Sequence, residues 1–128
     1  MPQTDLAFTS ATDLAAAIRR RVLSPVELMR VTLDRIEASQ PVLNAFITVA
    51  ADGAMAQARK AEDAVQRGEP IGPLHGIPVA VKDLVPTAGI RTTWGSLIFK
   101  DHIPDTDAVA VARLKQAGYP DADLHIFV

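Results

Sequence analysis

The spacing of hydrophobic positions predicts helices in the first half of the chain. In the second of them, apolar residues recur at three- and four-residue steps and share one face: Val26, Met29, Leu33 and Ile36. Just before them, Ser24 is a suitable N-cap, Pro25 fits the first helical position, and Glu27 completes a capping box. Pro41 is expected to break this helix and to be followed by a short extended piece over residues 45–48.

One further helix is predicted before this helix and one after it. The earlier one follows Ser10, a plausible N-cap with Asp13 three residues later, and ends in the basic run 19–21. The later one is rich in alanine and covers residues 51–67, and Gly68 is placed to end it in a left-handed conformation. The first half of the chain is therefore expected to be three helices with short connections.

The pattern changes at Glu69. The stretch "GEPIGPLHGIP" contains three glycines and three prolines, which is the composition of a loop. An apolar run follows over residues 77–82, in which two sets of side chains alternate. The sets are Ile77, Val79 and Val81 on one face, and Pro78, Ala80 and Lys82 on the other. Both faces are apolar up to the lysine, so we predict a strand covered on both sides, as in a parallel sheet.

The last third of the chain continues this alternation of elements. The stretch "PDTDAVAVARLKQAG" predicts a helix that Asp105 or Thr106 caps and that Gly118 ends. The final "LHIFV", residues 124–128, is strand-like. Strand, helix and strand in this order are typical of a βαβ unit. The sequence therefore predicts the α/β class, with N-terminal helices followed by the start of a sheet that remains incomplete.

Composition narrows the classes of function. The 128 residues carry 13 basic and 15 acidic side chains and no cysteine. Direct nucleic-acid binding is not expected, because no basic face is evident and the run 19–21 suits a solvated helix end. The histidines His75, His102 and His125 lack the spacing of metal ligands, so neither a metal nor a cofactor is expected. No segment has the length or character of a signal peptide or membrane span, so a cytoplasmic protein is the expectation.

One charged residue, Lys82, stands at the end of the apolar run. Burial disfavours the charged form of an ammonium, and a neutral lysine can take a proton from a hydroxyl nucleophile. Serine–lysine pairs are a known variant of serine–histidine catalysis. The alternative is that Lys82 is the exposed end of a strand and pairs with its neighbour Asp83, which spacing alone favours.

A longer match bears on this choice. The stretch "GPLHGIPVAVKDLVPTAGIRTTWGS" closely resembles the amidase signature family, which includes the A subunit of the glutamyl-tRNA amidotransferases. The matching positions are Gly76–Asp83, Thr87, Gly89, Thr92, Gly95 and Ser96. The helix before Gly118 and the opening helices also look like those of the family, so the likeness covers about residues 11–118.

The resemblance implies a mixed sheet sandwiched by helices, and hydrolysis or transfer of a carboxamide through an acyl-enzyme. It implies that Lys82 is the catalytic base and acts through a serine held in a cis peptide, which relays to the nucleophilic serine. The chain is then expected to be the N-terminal part of such a domain, helical over 10–68, sheet-forming over 69–118 and divergent over 119–128. Expected partners are a small-molecule amide in the complete enzyme and, as an open alternative, other amidotransferase subunits.

The serines of this chain depart from the family pattern. The family's two serines lie in a Gly/Ser-rich segment that this sequence lacks, and its own serines are Ser10, Ser24, Ser39 and Ser96. The first three are expected at helix caps or ends, and Ser96 is not a position that the family uses as nucleophile. After Gly118 the stretch "YPDADLHIFV" replaces the family's usual strand, so a truncated or frameshifted reading frame is expected.

Two hypotheses of different classes remain. In the first, the chain is an amidase fragment that has the base but not the nucleophile, and is therefore inactive alone. In the second, it is a non-enzymatic helical and α/β module that binds a partner. The two differ in whether a supplied C-terminal portion restores amide hydrolysis that depends on Lys82.

Overall fold

The computed structural model describes residues 6–118, and regular structure in that range is helical. Helix α1 spans Ala11–Arg19, α2 spans Pro25–Leu43, α3 spans Ala51–Arg67 and α4 spans Val109–Gly118. A 3₁₀ turn at Leu97–Phe99 interrupts the long connection between α3 and α4. None of the helices in this part of the chain combines the length and the hydropathy needed to cross a membrane.

Serine caps start the first two helices, as predicted. The hydroxyl of Ser10 accepts a hydrogen bond from the amide of Asp13 at 3.1 Å. The hydroxyl of Ser24 accepts from the amides of Val26 and Glu27 at 3.0 and 3.1 Å. Each cap satisfies backbone donors that the first turn of a helix leaves without a partner.

The predicted break at Pro41 is wrong, because α2 continues through it to Leu43. Proline removes one helical hydrogen bond, but here it falls in the last turn, close to where the helix ends in any case. Asn44 ends α2 in a left-handed conformation with φ of 46°. The side chain of Gln40 then donates to the carbonyl of Phe46 at 2.6 Å and accepts from its amide at 3.1 Å. These bonds fix the direction in which the chain leaves the helix.

The start of α4 lies later than a cap at Asp105 or Thr106 predicts, since the helix begins at residue 109. The acidic residue just before it, Asp107, serves the loop instead. Its carboxylate accepts from the amide of Ala88 at 2.8 Å and pairs with the ammonium of Lys115 at 2.7 Å. The carboxylate therefore joins α4 to the preceding loop rather than capping the helix.

Within residues 6–118 the core has three groups of buried side chains, and α3 contributes to all of them. Val65 packs with α1 and the start of α2, and Ala61 packs with the loop and α4. Ala54 and Ala58 pack against the apolar stripe of α2 that the sequence predicts. Gly68 ends α3 with φ of 70°, also as predicted.

A strand ladder is not present in residues 6–118. Ala80 occupies a single bridge position, and Thr87 and Ile90 form an isolated antiparallel bridge. The predicted strand over 77–82 is extended but is not part of a sheet within the described range, and the predicted strand at 124–128 lies outside it. A sheet needs several strands that pair across long distances in sequence, and such partners are not found among these residues.

Candidate functional site

The segment 77–82 has the alternation that the sequence predicts. Ile77 is buried in the group that α1 and α2 build, and Val81 is buried with Ala61 of α3. Ala80 and Lys82 point the other way and are exposed. The inward face thus anchors the segment to two parts of the core. The outward face at Ala80 and Lys82 is exposed within the described residues, whereas a strand in a parallel sheet is covered on both faces.

Lys82 is exposed in the structure, as the alternative of an exposed strand end expects. Within residues 6–118, its ammonium has no carboxylate within salt-bridge distance and no hydrogen-bond acceptor. Its carbonyl accepts from the amide of Val85 at 2.9 Å, which closes a tight turn directly after the segment. The backbone at Lys82 is therefore fixed, while its amine is available to groups outside this part of the chain.

Asp83 holds the next loop and does not pair with its neighbour Lys82. Its carboxylate accepts from the amide of Thr93 at 2.7 Å and from the hydroxyl of the same residue. Its carbonyl accepts from the amide of Trp94 at 3.0 Å. Three hydrogen bonds therefore join the residue after Lys82 to the stretch 93–94.

A cluster of rings follows this connection. Trp94 stacks on His102 with centroids 4.9 Å apart, and Phe99 meets the Trp94 ring edge-on at the same distance. Trp94 has φ of 51° and Gly95 has φ of 68°, so two successive residues are left-handed. That conformation is unusual for a bulky residue. The ring contacts and the Asp83 bond oppose its relaxation.

Arg91 ties this loop to the helical half of the molecule. One guanidinium nitrogen donates to the carbonyl of Lys100 at 2.7 Å, and the other donates to the carbonyl of Ile47 at 3.0 Å. Ile47 belongs to the connection between α2 and α3. One side chain therefore positions the ring cluster against that connection.

The four serines are engaged in structural contacts. Ser10 and Ser24 are the N-caps of α1 and α2, and Ser39 donates to the carbonyl of Ile36 within α2 at 3.2 Å. Ser96 accepts from the amide of Ile98 at 3.3 Å at the start of the 3₁₀ turn. The prediction of structural roles for the first three is confirmed.

The other polar candidates also have structural surroundings. His75 is buried, with its ring nitrogens 2.9 Å from the carbonyl of Ala61 and 3.2 Å from that of Gly118. Residues 6–118 contain no group of histidine and acidic side chains that could hold a metal ion, and His125 lies outside this range. The run 19–21 is exposed at the end of α1, as predicted for a solvated helix end.

Comparisons with known proteins decide the family. A family model described as "Amidase" matches residues 27–120, which is most of the chain. The chain belongs to the amidase family. The match includes the whole segment that carries Lys82, and it confirms the resemblance found in the sequence.

The curated amidase relatives are much longer than this chain. The A subunit of glutamyl-tRNA(Gln) amidotransferase from Carboxydothermus hydrogenoformans is 43% identical over 114 residues, which cover 89% of this chain and 24% of the relative. The protein of the same name from Acidothermus cellulolyticus is 44% identical over 115 residues, which cover 90% and 23%. The chain thus spans about a quarter of the length of the curated relatives it matches.

Solved structures of amidases share the arrangement described above. Fatty acid amide hydrolase superposes with a TM-score of 0.84 at 27% identity, over 92% of this chain and 21% of its own. The native peptide amidase of Stenotrophomonas maltophilia gives 0.78 at 35% identity, over 86% and 23%. The described fold is therefore that of one part of an amidase.

Sequence reasoning found Lys82 but missed the groups that position its surroundings. The bonds from Asp83 to Thr93 join residues ten apart across a loop, and no periodic pattern marks such a pair. The acid directly after a strand-like run and the "TT" at 92–93 were the available signals, because short polar side chains often bind nearby backbone.

Proposed function

We propose that this chain forms the lysine-bearing part of an amidase-type hydrolase or amidotransferase that acts on carboxamide C–N bonds. The position of Lys82 carries the proposal. It ends an extended segment inside the region matched by the family, its amine is exposed, and Asp83 fixes the chain directly after it. An amine held in this way can meet a hydroxyl that another part of the enzyme supplies.

In the proposed mechanism, the Nζ atom of Lys82 accepts a proton that a relay serine passes on from the nucleophilic serine. The serine oxygen attacks the carboxamide carbon, and backbone N–H groups stabilise the negative charge that forms on oxygen. The C–N bond then breaks, the leaving amine takes the proton, and an acyl-enzyme remains. Water ends the cycle of a hydrolase by cleaving the acyl-enzyme. In an amidotransferase, water cleaves the acyl-enzyme in the same way, and the released ammonia passes to a second substrate.

Both serines are proposed to come from outside this chain. The four serines of the chain are used in helix and turn contacts, and the relatives are about four times as long. The division into a helical part at 10–68, a sheet-forming part at 69–118 and a divergent part at 119–128 belongs to the same proposal. In the assembled enzyme, residues 77–82 would join a mixed sheet sandwiched by helices.

The proposed substrate is a small molecule with a carboxamide group. Two relatives are named as the A subunit of an amidotransferase, which supports other subunits of such an enzyme as partners. Direct contact with nucleic acid is not part of the proposal, because acidic side chains slightly outnumber basic ones. A cytoplasmic location is proposed on the same likeness, since those relatives are named for a tRNA.

The proposal is tested by supplying the part of an amidase that this chain does not contain. The chain is co-expressed with the part of the Stenotrophomonas maltophilia peptide amidase outside the matched region, and ammonia release from an amidated peptide is measured. Restored release is expected, and Lys82→Ala should lower it by roughly 10²–10⁴-fold, the usual contribution of a general base. Lys100→Ala removes another exposed lysine and should leave the rate unchanged.

Two results would contradict the proposal that this chain is part of an amidase-type enzyme. Release that persists at the wild-type rate in the Lys82→Ala variant would remove the lysine from the mechanism. A stable complex that releases no ammonia and is indifferent to Lys82→Ala would favour the alternative, a non-enzymatic module that binds a partner.

A further inference from the structure

Two buried side-chain oxygens have no hydrogen-bond partner within residues 6–118, the Oε1 atom of Gln57 and the Oγ1 atom of Thr48. Gln57 as a whole is only 6% exposed, and Thr48 is partly buried with its hydroxyl turned away from bulk water. Buried polar atoms of native proteins are almost always hydrogen-bonded, because leaving water without a replacement is unfavourable. Each oxygen therefore needs a partner that the surrounding polypeptide does not supply.

The position of Gln57 on α3 shows where its amide lies. Gln57 comes seven residues after Ala50 and four before Ala61, so the three share one side of the helix. Both alanines pack in the core group that contains Val81 and Ile90. The Gln57 amide therefore lies along the boundary between α3 and the extended segment with its following loop. The neighbouring side chains there are apolar and offer no donor.

Thr48 lies on the same boundary, in the connection before α3. It follows Ile47, whose carbonyl accepts a hydrogen bond from the guanidinium of Arg91 at 3.0 Å. That bond holds the connection against the loop after the extended segment. The two oxygens without partners thus both occur where the helical half of the molecule meets the following loops.

The chemistry of the two oxygens selects the ligand. A calcium ion takes about six to eight oxygen ligands, with carboxylates among them, and residues 6–118 contain no acidic or histidine group suited to a metal ion. An organic ligand or a partner's side chain would have to enter from the surface, and the burial of both oxygens prevents this. Water is small enough, donates to amide and hydroxyl oxygens, and can also bind the second lone pair of nearby backbone carbonyls.

We propose that Gln57 and Thr48 hold ordered internal water at the boundary between α3 and the following loops. Globular proteins contain about one buried water per 27 residues, so two among residues 6–118 is an ordinary number. This water belongs to the folded chain itself. The inference goes beyond the proposed function, because it stands whether or not Lys82 acts as a base.

The proposal is tested by oxygen-17 relaxation dispersion, which counts the water molecules that stay inside a protein for longer than it takes to tumble. Gln57→Met replaces the amide with an apolar side chain of similar length, and the count should fall by about one. Gln66→Met is the control, because Gln66 is exposed on the same helix, and it should leave the count unchanged.

A second pair of variants tests the hydroxyl in the same way. Thr48→Val keeps the shape of the side chain but removes its polar atom, and it should also lower the count by about one. Thr12→Val is the control, because Thr12 is exposed on α1. All four variants should keep the helical circular dichroism signal of the wild type.

A crystal structure of the unaltered chain is a further check that needs no substitution. A water oxygen should lie about 2.5–3.0 Å from Gln57 Oε1 and likewise from Thr48 Oγ1. Equal water counts for the variants at 57 and 66 would overturn the proposal. A Gln57 amide that is turned over and bound directly by another residue would overturn it as well.

Discussion

The carboxylate of Asp83 accepts hydrogen bonds from both the backbone amide and the hydroxyl of Thr93, with the amide nitrogen 2.7 Å away. Thr93 is buried, so its amide has little access to water once this partner is removed. The pair therefore closes the loop between residues 83 and 93, just after the chain leaves the core at Val81.

Replacing this acid should destabilise the chain. Asp83→Ala leaves the buried amide of Thr93 without an acceptor, and a loss of about 1–3 kcal/mol in the free energy of unfolding is expected. Urea denaturation followed by the helical circular dichroism signal measures it. Asp101→Ala is the matched control, because the Asp101 side chain is 85% exposed and lies 3.9 Å from Lys100. Equal effects at the two positions would contradict the role given to Asp83.

Removing the lysine amine should leave the stability of the chain unchanged. Lys82→Ala takes away an exposed group without a polar partner in the described range, and a change within about 0.5 kcal/mol is expected in the same denaturation experiment. Together with a loss of ammonia release in the assembled enzyme, this result would separate a chemical role from a structural one. A loss of about 2 kcal/mol or more would show that Lys82 has a structural contact instead.

Gly72 should not tolerate a side chain. A Cβ atom there would lie 2.1 Å from the carbonyl oxygen of Ala117, near the end of α4. Gly72→Ala must therefore move backbone, and a loss of about 1–3 kcal/mol is expected from overpacking. Gly89→Ala is the comparison, because Gly89 has φ of 77° and open space around it. The Gly89→Ala variant should lose only about 1 kcal/mol of unfolding free energy, because backbone strain is the one cost there. The ranking of the two variants decides whether close approach at Gly72 matters.

Ser24, the N-cap of α2, should contribute more to the stability of the chain than Ser96 does. The hydroxyl of Ser24 accepts from two amides and donates to the carboxylate of Glu62 on α3. Ser24→Ala should lower the free energy of unfolding by about 1–2 kcal/mol. Faster hydrogen exchange at Val26 and Glu27 would locate the effect. Ser96→Ala, at the exposed 3₁₀ turn, should change stability by less than about 0.5 kcal/mol, and a larger loss there would argue against this order.

The helices could be predicted from sequence wherever the deciding contacts are local. The caps Ser10 and Ser24 and the terminator Gly68 act within one turn of their helix, and each was found. The end of α2 was missed because Pro41 falls in the last turn, where a proline costs little, and because Gln40 binds the backbone of Phe46, six residues away. Local rules for proline do not contain such a contact.

The site was predicted less completely, for a related reason. The alternation of inward and outward side chains along 77–82 can be predicted from the sequence, and the structure contains it. Whether Lys82 is buried depends on what covers the outward face, and a single segment has no information about that. The hydrogen bonds of Asp83 and Arg91 join residues whose spacing follows no helix or strand periodicity. They can therefore be identified only in the folded structure.

The small side chains of α3 have a further consequence. Ala61 is fully buried and shares a core group with Val81, the residue before Lys82. A methyl group therefore sets the distance between the helix and the extended segment. We expect substitutions at position 61 to move Lys82 relative to α3, because a larger side chain there widens the gap between the helix and the segment. The position of an exposed lysine in this chain is therefore set by the size of a buried side chain on another helix.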